Sequence, residues 1–368
     1  MLYHIDESVV EAAKNNDLDV VNFLIELKNA WLSGQCLVSA SKKSFLELIQ
    51  IPRLNEFSLV SKYAQGVHCL YDSLDFFVVL VSNHAQVCSM QQFANKYVVM
   101  DVSEYSDIKQ IHNNYLVCEN VKDCEFYVSF VKHLLVDKMR NVYQLNILNS
   151  NGGGGTIVDV LKSNQEYACL VICDSDKKYP KCGNGQTLEG VSDYYKSQYN
   201  RRLWMYALHV HEIENLVPLK LLEFVVRGDK RHKKSLDYLK SIKDLELKNV
   251  FLKYFDFKKG LGAKLLRKIK EEDPQFYEKC CQVLLQTNKK QHDIDKAVEN
   301  SNVAKSKDAA QPLINGISDG FLREVLDYLQ NNDVNPQLLD MEDFQKEDWH
   351  TIANMVWSLG CAMKQLRL

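Results

Sequence analysis

Carboxylates recur where apolar runs stop, and their types and spacing suit a divalent-cation site. NYLVC runs into Glu119, YACLVIC runs into Asp174-Ser175-Asp176, and YALHV runs into His211-Glu212-Ile213-Glu214. If these runs are neighbouring strands, four or five carboxylates meet at one sheet edge. Like charges held within a few ångström raise one another's pKa, and a cation removes that conflict. Hard carboxylate oxygens suit Mg²⁺ or Mn²⁺. Asp-x-Asp just past a strand can direct both side chains to one ion, because the chain has left strict up-down alternation. Taken alone, Asp174-Ser175-Asp176 reads equally as a turn with helix-capping residues. Glu212 and Glu214 alternate, as do His209 and His211; for the histidines a surface or supporting position is the expectation.

The elements that must hold these residues are most regular over 114–215. NYLVCEN reads as a buried strand, VKDCEFYVSFVKHLL as an amphipathic helix, and VYQLNILNS as a second strand. That strand enters Gly152–Gly155 and a short helix, TIVDVLKSN. YACLVICDSD is a third strand, DYYKSQYNRRLWM a helix, and YALHVHEIEN a fourth strand. Such a series predicts an α/β fold: a mostly parallel sheet with right-handed crossovers and helices on both faces. Chemistry in these sheets gathers at the carboxyl ends of strands. Residues 1–110 alternate short apolar runs with helical stretches and predict a small preceding α/β domain. From Leu216 the pattern is helical, with a polar linker near 287–311. The expected domains are therefore 1–110, 112–220 and 221–368.

Three motifs resemble a known family. CENVKD at 118–123 resembles the Toprim signature of a strand-end Glu followed four residues later by Asp, with Asn120 in place of the usual glycine. CDSD at 173–176 resembles the family's Asp-x-Asp, and HEIENLVP at 211–218 resembles the element after the last strand in Toprim nucleases of the OLD-like and DUF4435-like groups. The resemblance covers roughly residues 112–220 and implies a Toprim-like sheet and a Mg²⁺-dependent (or Mn²⁺-dependent) endonuclease that hydrolyses DNA or RNA. It implies Glu119 as general acid/base or metal ligand, with Asp174, Asp176 and Glu214 as further ligands. Two ions about 4 Å apart can activate water and stabilise a leaving oxygen. Asp123 would position Glu119, and Lys178 or Lys177 would neutralise charge developing on phosphate. The company kept by stand-alone Toprim nucleases implies an antiphage effector, with an ATPase or other defence-system subunit as protein partner. The alternative is a non-catalytic metal-binding adaptor within a larger complex.

The net charge of −3 does not announce a nucleic-acid binder. Charge is nonetheless uneven: Lys220 to Lys270 holds sixteen Lys or Arg against six Asp or Glu. KRHKK at 230–234, with Lys230, Arg231, Lys233 and Lys234, continues through Lys258, Lys259, Arg267 and Lys268 as candidate phosphate contacts. Solvated helix faces look the same in sequence. Gly152–Gly155 lacks the Gly-Lys-Ser/Thr ending of a P-loop and reads as a flexible turn. Near the amino terminus, Asp6, Glu47, Asp75 and Asp101 occur in an order that resembles a PIN-like nuclease; the alternative is an interaction domain. Eleven scattered cysteines without CxxC pairs predict reduced, buried thiols and a cytoplasmic setting. The start lacks a signal-peptide pattern, and no apolar run is long enough to span a membrane. The helical tail has apolar faces that suit either its own core or a homo-oligomer.

Overall fold

The computed structural model describes residues 1–83, 97–135, 137–228, 232–287, 289–301, 312–318 and 320–365. Two compact units share the chain. One comprises Met1–Ile172, Tyr194–Tyr206 and Thr351–Leu368; the other comprises Cys173–Asp193 and Ala207–His350. Neither unit is continuous in sequence, so the three consecutive blocks expected from patterning do not coincide with them.

The first unit contains a sheet of four parallel strands, β1 (Leu2–Ile5), β2 (Leu37–Ala40), β3 (Phe77–Val81) and β4 (Tyr97–Asp101), in the order β2-β1-β3-β4. Every residue of β1, β2 and β3 is buried. Near-continuous apolar runs of this kind are what a parallel sheet covered on both faces requires. The connecting helices start on polar caps. Asp6 accepts the Ser8 amide at the head of helix Glu7–Lys14, and Ser41 accepts the Ser44 amide at the head of Lys42–Gln50.

Next come β5 (Asn114–Cys118), β6 (Tyr143–Leu145), β7 (Leu148–Asn151), β8 (Ala168–Cys173) and β9 (Leu203–Ala207). A second four-stranded sheet has the order β7-β5-β8-β9, with β5 parallel to both its neighbours. The Cys169 amide bonds to the Arg202 carbonyl and the Leu208 amide to the Cys173 carbonyl, so β9 runs the same way as β8. Helices Val121–Leu134 and Ile157–Ser163 both pack on β5 and β7. The α/β class and parallel pairing are thus as the periodicity predicts.

The second unit is mainly helical, with one antiparallel pair, β10 (Gly260–Gly262) and β11 (Pro312–Asn315). A Cβ on Gly260 would lie 2.0 Å from the Ile314 carbonyl oxygen, and its φ is +79°, so only glycine fits this close pairing. The preceding helix Lys233–Ser241 is separate from Lys248–Leu252, although the sequence reads as one long helix.

Four boundaries differ from the sequence reading. The fourth strand is β9, which starts earlier than YALHVHEIEN: it takes Leu203–Met205 from the RRLWM segment expected to be helical and only Tyr206 and Ala207 from the expected strand. Tertiary partners decide this, since Trp204 stacks on Phe76 with ring centroids 3.9 Å apart and Arg202 lies 4.7 Å over the Tyr105 ring. The VYQLNILNS run divides into β6 and β7. The expected linker contains helix Gln291–Asn300, while 302–311 lies outside the described residues. The last helix stops at Gly360, and β12 (Cys361–Met363) pairs antiparallel with β6. Eight of the ten described cysteines, all free thiols, are buried. No described helix is long and apolar enough to cross a membrane.

Candidate metal centre

The chain leaves β8 at Cys173 and turns sharply. Asp176 adopts φ +55°, a left-handed conformation that aspartate tolerates better than most residues. Its amide donates to the His211 carbonyl at 2.9 Å, and buried Ser175 donates its hydroxyl to the Val210 carbonyl. These bonds tie residues 175 and 176 to residues 210 and 211, in a stretch, 208–212, that follows β9 and is no longer strand. Because strand alternation has ended, His211 and Glu212 do not take opposite faces.

Asp176, His211 and Glu212 converge, each offering one ligand atom with all three within 4.8 Å of one another. Donors around a six-coordinate ion at ~2.1 Å stand about 3 Å apart when adjacent, so small side-chain rotations would close this set on a cation. His211 is 1% exposed, and neither ring nitrogen has a hydrogen-bond partner. Its Nε2 lies 3.5 Å from the Glu212 carboxylate. Leaving a buried imidazole unpaired costs about 1–3 kcal/mol, which coordination would recover. Burial lowers the His211 pKa, and Lys178 lowers it further, against the opposing pull of Glu212, Asp256 and Asp176. A neutral imidazole is the form that ligates metals.

Lys258 holds the other side of the cluster. Its Nζ lies 2.9 Å from Glu212 and 3.1 Å from Glu214. Burial opposes its charge, but Glu214 and Glu212 outweigh burial and raise its pKa. Burial also pushes the Glu214 carboxyl up to about 7, despite Lys258. For Glu212 burial works the same way, but His211 and Lys258 outweigh it and hold this carboxyl below its usual range. Asn215 fixes the geometry: it is fully buried and donates to the Leu252 and Phe255 carbonyls at 2.7 and 2.8 Å, locking the 211–215 segment to the stretch that carries Asp256 and Lys258.

The other expected site residues have different placements. Asp174 accepts the Ile213 amide at 3.0 Å and so acts as a turn cap. Glu119 follows β5 and lies in the first unit, whereas Asp174 and Asp176 belong to the second. Asp123 closes a capping box with Asn120 at the head of helix Val121–Leu134, which accounts for its spacing from Glu119. Lys178 is exposed and lines a cavity with Asp256 and Lys259. Lys258, expected on a phosphate-binding face, instead faces Glu212 and Glu214. Arg267 pairs with Glu271 at 2.9 Å and Lys268 with Glu272 at 3.6 Å, so carboxylates one turn away offset part of that basic stretch. Lys233 and Lys234 are exposed, while Lys230 and Arg231 lie outside the described residues. In the glycine run, the Gly152 and Gly153 amides donate to the Cys118 and Glu119 carbonyls, so these two donors tie β7 to β5. His211 and Glu212 had been set behind Glu214 in sequence. Their one available signal was the density of ionisable groups in His211-Glu212-Ile213-Glu214.

Comparison with protein-family models, curated proteins and solved structures finds no match.

Proposed function

We propose that the protein is a divalent-metal-dependent phosphodiester hydrolase whose cation is held by Asp176, His211 and Glu212. The observation that carries this reading is buried His211, without a hydrogen bond at either nitrogen and converging with two carboxylates. An imidazole beside two carboxylates suits Mn²⁺ better than Mg²⁺, whose preferred donors are all oxygen. When bound, such a cation supplies Lewis acidity toward a phosphodiester oxygen. Lys178 and Lys259, both exposed in the adjoining cavity, would hold the phosphate. Nucleic acid as the substrate, Toprim membership and an antiphage role rest on the motif resemblance.

The test is Mn²⁺ titration of the full chain, by calorimetry and electron paramagnetic resonance, followed by cleavage assays on plasmid, single-stranded DNA and RNA. Wild type should bind Mn²⁺ and cleave; Asp176→Asn and His211→Gln should lose both while keeping the circular dichroism spectrum. Equal cleavage by all three proteins would remove the proposed centre.

One observation favours a second reading. Lys258 already neutralises part of the acidic charge, as it would in a non-catalytic ion-pair network serving an adaptor. A metal-binding adaptor expects Mn²⁺ binding without turnover on any of the three substrates, and an ion-pair network alone expects neither.

A further inference from the structure

A cavity of about 470 Å³ in the second unit lies against the proposed centre, since Lys178 and Asp256, which both act electrostatically on His211, also line it. Its size falls within the range of small-molecule sites. Four lysine side chains line it, those of Lys178, Lys259, Lys264 and Lys268, against the single acidic residue Asp256. Of these, Lys268 has a carboxylate neighbour, Glu272; Lys178, Lys259 and Lys264 make no ion pair among the described residues. Three unpaired lysines facing one concavity repel one another, and an anion is the simplest relief.

The backbone adds to this. The chain passes from Gly260-Leu261-Gly262 directly into helix Ala263–Glu272, and Gly262 at its head provides no side-chain cap. Lys264 and Leu265 of the first turn line the cavity with Gly262. A glycine-rich entry, uncapped first-turn amides and a lysine on that turn form the arrangement by which helix amino termini take phosphate. Leu265 and Pro312 add apolar surface to the lining, for which inorganic phosphate alone has no complement.

We propose that this cavity binds a nucleoside 5′-phosphate, with the phosphate at Lys259, Lys264 and the start of helix Ala263–Glu272. The inference rests on the hydrolase reading for its setting and names the substrate class at its approach: a phosphorylated nucleotide, either free or at a strand end.

Binding is measured without metal, so that its failure is separable from failure of the hydrolase reading. In EDTA, calorimetry on the full chain should show adenosine 5′-monophosphate binding, with adenosine at least tenfold weaker. Lys264→Ala and Lys259→Ala should each weaken the nucleotide by tenfold or more, while Asp176→Asn does not weaken it. If a 5′-phosphorylated pentanucleotide binds more tightly than the monophosphate and its 5′-hydroxyl counterpart does not, the ligand is a strand end; if neither does, it is a free nucleotide. Equal binding of adenosine and its monophosphate, absence of binding by both, or an unchanged affinity in both lysine variants would overturn the proposal, even with Mn²⁺-dependent cleavage intact.

Discussion

Aspartates of both units stand at or just past the carboxyl ends of parallel strands, yet the two sets have different neighbours. In the first unit Asp6 follows β1 and Asp101 ends β4. Asp6 caps helix Glu7–Lys14, and Asp101 closes a capping box with Glu104 while also accepting the Ser103 hydroxyl at 2.6 Å. Asp17, which like Asp101 lines a cavity of about 540 Å³ in that unit, accepts the Asp19 and Val20 amides. Each of those carboxylates accepts at least one backbone amide close by in sequence. In the second unit Asp174 behaves likewise, but Asp176 and Glu212 converge on an imidazole neither of whose nitrogens makes a hydrogen bond. An acidic residue after a strand is ordinarily a cap. Convergence with a buried, unsatisfied donor set is what separates a candidate site from a turn.

The most severe way to break this contrast is to remove the internal cation. Lys258→Met would leave buried Glu214 and half-buried Glu212 uncompensated, which should lower stability by about 3 kcal/mol in urea denaturation. Saturating Mn²⁺ should restore part of that loss. A Lys258→Met protein as stable as wild type would show that the two glutamates do not depend on the ion pair.

Loss of a ligand comes next. His211→Gln or Asp176→Asn should weaken Mn²⁺ binding by more than about 100-fold, beyond the ~10–100-fold typical of residues behind the ligands. Asp6→Asn and Asp101→Asn should leave it unchanged. If the first-unit variants affect Mn²⁺ as strongly, the two regions are not distinct in the way described.

Gly185 sharpens the contrast without touching a ligand. Its amide donates to the Ser175 carbonyl at 2.9 Å, and an added Cβ would lie 2.0 Å from the Asp176 carboxylate. Gly185→Ala should therefore displace Asp176 and reduce Mn²⁺ affinity by roughly tenfold, a second-sphere magnitude, with little change in the thermal midpoint. Unchanged affinity would mean that the carboxylate can relocate freely.

The smallest effect belongs to a cap. Asp101→Ala should lower stability by about 1 kcal/mol, read from the urea midpoint at constant slope. A change in Mn²⁺ affinity in this variant would assign the aspartate more than a capping role.

Much of the α/β frame was legible because buried parallel strands write themselves as apolar runs. NYLVC, ACLVIC and FVVLV each became a strand, and the polar residues beside them became caps or turns. The fourth strand was less legible. RRLWM and YALHV are both apolar enough to pair, and β9 spans their junction; the stacking of Trp204 on Phe76, distant in sequence, is part of what sets its start. That one shift changed the site. With β9 ending at Ala207, residues 208–212 no longer alternate as a strand, and Glu212 and Glu214 come to one side through their shared contact with Lys258 instead.

Local chemistry in the sequence determined the fold class, the caps and the placing of acidic residues past strand ends, since all three depend on near neighbours along the chain. Tertiary structure alone decided which acids converge. Asp176 and His211 are 35 residues apart, and Lys258 lies farther still. Whether a lysine faces phosphate or a buried glutamate depends on how those segments pack, and no spacing along the chain records it.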